Sequence, residues 1–339
     1  MKCPYCDAEF DIPTLESYQK EIAVPGKDNY GWDESEAGAE WADDELNELS
    51  TGSCPSCGAE LVGDQNTAAM VCPSCGNTQI VLKRLDGLLK PDYVIPFALD
   101  KKRAVESLKG FYKGKRLLPD SFKQENRING IQGVYLPFWL FDAQADARIR
   151  YKASKVKTWS DSQYSYTKTD FYSVVREGSL SFEKIPVDGS EKTDDAYMDA
   201  IEPFDYKQLL EFQTAYLSGY LAEKYDVDAA KSKERAGVRI KNSIEHEFRK
   251  SVAGYASVST ENSVVDVKEG TVSYGFFPTW ILNTKYKKEN YLFIMNGQTG
   301  LLAGRLPVDS GKVTRYVLMI GGITALALTL IIQALAIFI

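Results

Sequence analysis

The chain has 339 residues, room for two or three domains, and 44% of them are hydrophobic, an ordinary share for a globular protein. Its formal charge of −7 sets aside the strongly basic class, so neither nucleic acid nor anionic lipid headgroups are favoured as the main partner. Six cysteines fall in three CPxC pairs, which in a reducing compartment means metal thiolates rather than disulfides.

Residues 1–11 hold a partial zinc knuckle, Cys3 and Cys6. It supplies half a site, and every other cysteine is already paired elsewhere. Either two chains share a metal through this pair, or the knuckle has lost an upstream partner. The start, MKCPYCDAEF, has no apolar stretch of the kind a secretory signal needs. Residues 12–50 read as an acidic linker: 28–49 contain nine acidic residues and no basic one. Trp32 and Trp41 are the two features there that a bare linker does not need.

Residues 51–82 read as a zinc ribbon. Cys54 and Cys57 are followed after fourteen residues by Cys72 and Cys75, each pair in the form CPSCG. Two short CxxC turns offer two thiolates each, and together they complete the tetrahedron that zinc requires. Gly58 and Gly76 let each turn fold back toward its sulfurs. Glu60–Val62 and Thr67–Val71 are expected to pair as strands across the site. Four protein ligands leave no open position, so Zn2+ here is expected to be structural, supplying most of the folding energy of so small a module.

Residues 83–311 read as an α+β body. A helix is expected over about 99–113, strands over about 130–187, a helical stretch over about 205–251 interrupted near Asp226, and further strands over about 254–305. Within 228–252, Ala229, Ala236, Ile240, Ile244 and Phe248 share one helical face. Lys287–Asn290 and Asn296–Gly297 carry turn chemistry. Tyr135–Asp142 (YLPFWLFD) repeats as Phe276–Asn283 (FFPTWILN) at an offset of 141 residues, which suggests two similar halves. Trp139 and Trp280 are then core or half-to-half contacts.

Residues 312–339 read as a transmembrane tail anchor. Val317–Ile339 is an uncharged run of 23 residues, interrupted by no group more polar than Thr324, Thr329 and Gln333. As a helix it would extend roughly 34 Å, against about 30 Å of hydrocarbon. Arg305, Lys312 and Arg315 precede it, so a single pass with the body in the cytoplasm is expected.

Other chemistries find no support. Ser53–Val81 contains no Lys or Arg, so this ribbon is a poor nucleic-acid surface. Basic residues at Lys101–Arg103 and Lys109–Arg116 read as a solvated helix face or as headgroup contacts. There is no phosphate-binding GxxxxGK[ST] loop, HExxH or GxSxG, and His246 stands as the single histidine. An enzyme is not expected, and no small-molecule substrate is evident.

The segments SCPSCGAELVGDQNTAAMVCPSCGN, LKPDYVIPFALDKKRA, GKRLLPDSFK, GVYLPFWLFDA and YLFIMNGQTGLLAGRLPVD resemble the bacterial membrane-anchored TFIIB-type zinc-ribbon proteins. The resemblance runs from Met1 to the tail. It implies zinc on Cys54, Cys57, Cys72 and Cys75 and a membrane adaptor associated with SPFH (flotillin-like) or phage-shock-protein-A-like membrane-stress proteins. That family usually carries a further knuckle upstream of the one at Cys3 and Cys6, and its absence here leaves the first site in doubt. A metal- or redox-sensing role for the zinc thiolates is the alternative.

Overall fold

The computed structural model describes all residues except 1–8, 10, 24–25, 36, 43–44, 47–48, 65–70, 84–88, 125–127, 129, 288 and 339. In chain order, helix α1 (Ile12–Ile22) leads to strands β1 (Asn29–Asp33), β2 (Leu49–Ser53), β3 (Glu60–Asp64), β4 (Val81–Lys83) and β5 (Tyr93–Val94). Helix α2 (Lys101–Tyr112) precedes the long strands β6 (Gln132–Ser160) and β7 (Ser165–Asp188). Then come α3 (Asp195–Ala200), β8 (Leu210–Glu211), β9 (Leu221–Glu223) and α4 (Ala229–Lys250). Strands β10 (Ser257–Tyr286), β11 (Glu289–Asn296) and β12 (Leu302–Gly304) are followed by α5 (Ser310–Phe338). The class is α+β, as the sequence implied, with an apolar helix at its C-terminal end. Its residues gather into two compact units.

The first unit comprises Met1–Ala39, Phe138–Gly189 and Val227–Tyr274. Its frame is the antiparallel β6–β7 hairpin, paired from Phe138↔Asp188 to Ser160↔Ser165 with a bulge between Phe141 and Ala143. Ala143, Ala145, Ala147, Ile149 and Tyr151 point inward at the two-residue period of a strand. Helix α4 lies against β7. It starts at the N-cap Asp228, whose Oδ1 accepts from the Lys231 N–H at 2.8 Å. The expected face is the one it buries, through Ala229, Ala236, Ile240 and Ile244. Phe248 is half-buried, its ring 3.5 Å from where a Cβ on Gly178 would stand. Arg235 pairs with the buried Asp188, Arg239 Nη1 donates to the Pro186 carbonyl at 2.8 Å, and the Trp139 indole N–H donates to the Val227 carbonyl at 2.8 Å.

The acidic stretch expected as a solvated linker is built into the fold instead. Strand β1 runs parallel to β10, and Trp32 is 6% exposed. Its indole N–H donates to the Asp142 carbonyl at 3.0 Å, and its ring meets Phe141 edge-on. The acids have partners from distant sequence: Asp28 bonds Lys241 at 2.7 Å and Glu34 bonds Lys233 at 3.1 Å. Composition alone predicts solvation, but burial of Trp32 and these pairings win. Gly270 on β10 makes room for the Trp32 ring, since a Cβ there would lie 2.2 Å from it and 2.9 Å from the Gly31 carbonyl. Gly270→Ala is expected to destabilise this unit by roughly 1–3 kcal/mol, read as a lower denaturant midpoint.

The second unit comprises Glu40–Pro137, Ser190–Asp226 and Gly275–Ile339. Here β2 pairs antiparallel with β3 on one side and β4 on the other, and β3 pairs with β9. Strand β9 runs parallel to the start of β6, with Ala222 opposite Tyr135. Strand β5 runs parallel to β10, with Val94 opposite Phe276, and β10 continues through β11 to β12. Helix α2, capped by Asp100 Oδ1 on the Arg103 N–H at 2.8 Å, buries Ala104, Leu108 and Tyr112 against Trp280, Leu282 and Phe293. The Trp280 indole N–H donates to the Leu99 carbonyl at 3.0 Å. From the acidic stretch, Glu45 bonds Lys90 at 2.7 Å and Trp41 meets Phe212 edge-on.

Two further expectations change here. Residues 205–226 form no long helix; they make two 3-10 turns, Tyr206–Gln208 and Thr214–Leu217, and strands β8 and β9. Leu221–Glu223 has ladder partners on both sides, and that pairing overrides any local helical preference. Strand β3 takes β2 as its partner within the ribbon, whereas 65–70, most of the strand expected opposite it, lie outside the described residues.

Helix α5 is long and apolar enough over Ser310–Gln333 to cross a membrane, with a mean hydropathy of 2.0. Every side chain from Val317 to Gln333 is exposed.

Candidate metal centre

The two CPSCG turns fold alike. Cys54 N–H donates to the Ala59 carbonyl at 2.8 Å and Gly58 N–H to the Cys54 carbonyl at 2.9 Å; Cys72 with Asn77 and Gly76 with Cys72 repeat this at 2.8 Å each. Gly58 and Gly76 both sit at φ +74°, the left-handed region that a side chain disfavours. Each turn thus aims two sulfurs at one point. The Sγ atoms of Cys54 and Cys75 are 3.6 Å apart, as are those of Cys57 and Cys72, and all four lie within 4.8 Å of one another. All four cysteines are free of disulfides.

A tetrahedron with metal–sulfur bonds of about 2.3 Å has sulfur–sulfur edges of about 3.8 Å. The cluster has that size, so the four residues fit a thiophilic metal ion. Cys54 and Cys72 are buried, Cys57 and Cys75 half-buried, with Ala59 and Ile80 packed around them. Burial raises the Cys54 thiol, but the N–H groups of Cys57 and Ser56 directed at its sulfur outweigh this and bring it down to about 7. Burial pushes the Cys57 and Cys72 thiols up. A cation at the centre would lower all of these thiols, because thiolates are the metal-binding form.

The centre is joined to the body's sheet. Glu60, three residues past Cys57, begins β3, and β3 is hydrogen-bonded to β9. The second turn is held by Asn283 of β10, whose Nδ2 donates to the Ser74 carbonyl at 2.6 Å. Asn283 is the last residue of the second repeat copy. Cys3 and Cys6 lie outside the described residues. His246 is exposed on α4 and is not one of the clustered residues.

One group near this sheet escaped the sequence reading. Glu223 ends β9 opposite Leu61, is 1% exposed, and accepts from Ser190 Oγ at 3.2 Å. The one signal for it was a charged residue closing an apolar run, Leu221–Ala222. Burial raises its carboxyl from 4.5 to about 7. The folded state therefore binds more protons than the unfolded chain between those values, and stability falls as pH rises through that window. Glu223→Gln is expected to raise stability at pH 8 by up to about 3 kcal/mol while leaving pH 4 nearly unchanged, measured by paired denaturant titrations.

Comparison with known proteins bears on this whole arrangement. The protein described as "Uncharacterized protein YdjG" of Bacillus subtilis (strain 168) is 34% identical over 327 aligned residues, spanning 82% of this chain and 96% of that relative. The chain belongs to the YdjG family. No family model and no solved structure matches it. Membership covers almost all of YdjG, so the likeness extends well beyond a shared ribbon.

Proposed function

We propose that this YdjG-family chain is a membrane-tethered zinc-ribbon adaptor. It assembles proteins at the cytoplasmic face of the bacterial membrane in an envelope-stress response, by recruiting phage-shock-protein-A-like or SPFH proteins. The observation that carries this is the closed four-thiolate cluster continuous with the body's sheet through β3 and β9. Four protein ligands fill a tetrahedral ion, so Zn2+ there shapes a surface rather than activates a substrate. The exposed apolar helix supports the tether, and the cations Lys312 and Arg315 support a cytoplasmic body. The particular stress partners rest on the family resemblance in the sequence.

The body of this adaptor is best read as two similar halves with exchanged helices. The first copy is β5–α2–β6–β7 and the second β9–α4–β10–β11. Trp139 and Trp280 each donate to the carbonyl just before an aspartate N-cap, and Tyr135 and Phe276 each face a short parallel strand. In each case the helix and the hairpin come from different copies.

The test is a pull-down from solubilised membranes, wild type against Cys54→Ser. Protein partners lost together with zinc support the adaptor; an unchanged set of partners defeats it. The half-exposure of Cys57 and Cys75 favours a second reading, a redox or metal sensor. That reading expects peroxide to release zinc and the partners in step.

A further inference from the structure

The far end of the β6–β7 hairpin stands clear of β10. That strand begins beside Ser154, where the Ala256 N–H donates to the Ser154 carbonyl at 2.7 Å and the Ser154 and Ser257 hydroxyls bond at 2.6 Å. Six residue pairs of the hairpin continue beyond this point, from Lys155↔Asp170 to Ser160↔Ser165. At about 3.3 Å per residue they carry the tip roughly 20 Å further. Every residue from Lys155 to Thr169 is exposed.

An isolated two-stranded ribbon is marginal in water, yet this one is held by specific bonds. Asp161 Oδ1 accepts from the N–H groups of Gln163 and Tyr164 at 2.8 and 2.7 Å, and Asp161 Oδ2 from the Tyr166 hydroxyl at 2.9 Å. The Trp159 and Tyr166 rings stack with centroids 5.6 Å apart, and Tyr164 tilts against Tyr166 at 6.4 Å. Trp159 is nevertheless 52% exposed and Tyr164 65%. One step behind the stacked rings, on the same face, Lys157 stands opposite Lys168. Like charges opposed in this way destabilise a ladder. Lys168 Nζ also bonds Asp170 Oδ1 at 3.0 Å, while Lys157 has no acidic partner among the described residues. Residues 152–172 hold four lysines against two aspartates, a local positive excess in a chain of net −7. The distant acids do not cancel it, since exposed charges more than about 8 Å away are screened at physiological ionic strength.

We propose that this tip enters the headgroup layer of an anionic phospholipid bilayer. Amphipathic rings at the end of the ribbon, with cations one step behind, match the composition of that layer: indole and phenol at headgroup level, ammonium on phosphate. Phosphate between Lys157 and Lys168 also removes their repulsion. The inference rests on the membrane reading of α5, which keeps the chain at a bilayer. Three aromatic side chains bury less apolar surface than a myristoyl chain, itself a marginal anchor, so the contact acts on a tethered chain and does not replace the tether. Single-stranded nucleic acid also stacks on aromatic rings, but its backbone requires a continuous basic groove, and the ribbon offers one opposed pair of cations.

The experiment reconstitutes the full chain into vesicles of phosphatidylcholine, alone or mixed with phosphatidylglycerol, with brominated acyl chains that quench tryptophan fluorescence. The difference between wild type and Trp159→Phe isolates the Trp159 emission from that of the other tryptophans, of which Trp32, Trp139 and Trp280 are buried. Strong quenching and a blue shift of this difference signal are expected in the mixed vesicles and much less in phosphatidylcholine alone. K157Q/K168Q, read against its own Trp159→Phe partner, should weaken the contact on the order of tenfold, and K157R/K168R should keep it. Equal quenching with and without phosphatidylglycerol, or in K157Q/K168Q, overturns the anionic surface as the occupant. Trp159 emission that bromine leaves unchanged overturns the contact itself. It would then assign the tip to nucleic acid if a single-stranded oligonucleotide quenches it, or to a second copy of the chain if shielding from acrylamide grows with protein density. Flotation of the same vesicles separates the two failures: a chain that does not rise with them defeats the membrane reading, and one that rises with Trp159 unquenched defeats this inference alone.

Discussion

Serine at Cys72 is expected to remove the bound metal and the order of the β2–β3–β9 ladder together. Cys72 is fully buried, its sulfur 3.6 Å from that of Cys57, and a hydroxyl there supplies neither a thiolate nor the right bond length. Structural zinc sites contribute about 10–16 kcal/mol of apparent binding energy at neutral pH, against a total stability of about 5–15 kcal/mol for a whole domain. Among the described residues, the ribbon's own apolar packing around the cysteines is limited to Ala59 and Ile80. Wild-type protein should carry about one zinc per chain from these four thiolates. Metal analysis should then find a near-total loss in Cys72→Ser, and hydrogen exchange should find lost protection at Leu61, Val62 and Ala222. A variant that keeps a full equivalent of zinc would show that these sulfurs are not the ligands. A wild-type stoichiometry near two would assign metal to Cys3 and Cys6 as well.

The four-cysteine cluster was legible because its determinants are local: cysteine type, two-residue spacing and a following glycine all sit within one short window. Helix α4 was legible for the same reason, because Ala229, Ala236, Ile240 and Ile244 repeat at helical spacing within one stretch. What the sequence concealed is what depends on distant partners. The acidic stretch reads as solvent-facing until Lys233 and Lys241 of α4 and Lys90 of the body are placed beside its carboxylates. Leu221–Glu223 reads as helical until β3 and β6 supply ladders on both sides.

The repeat shows the boundary between the two kinds of information most sharply. Eight residues at an offset of 141 place Trp139 and Trp280 at matching positions of two similar segments. They cannot reveal that Trp139 bonds the carbonyl before α4 and Trp280 the carbonyl before α2. In the structure α2 packs with β10 and β11, and α4 with β7. Substituting Trp139 should accordingly disturb α4, and substituting Trp280 should disturb α2.

Deleting Val317–Ile339 is expected to move the protein from the membrane fraction to the soluble fraction without unfolding the rest. Every side chain from Val317 to Gln333 is exposed, so removing them takes no described apolar contact from the body. The contacts that secure the base of α5, from Asp309, Lys312 and Tyr316, all lie before the deletion and remain. A run of this length and mean hydropathy of 2.0 contributes far more to partition than a cluster of exposed lysines can. Carbonate-washed membranes should retain wild type and release the truncated chain, whose zinc content and denaturant midpoint should match those of the full chain in detergent. Retention that yields to salt would place the remaining attraction on the basic residues within Lys101–Arg116, because such attraction is screened as ionic strength rises. Retention that survives both salt and carbonate would mean that a second part of the chain enters the bilayer.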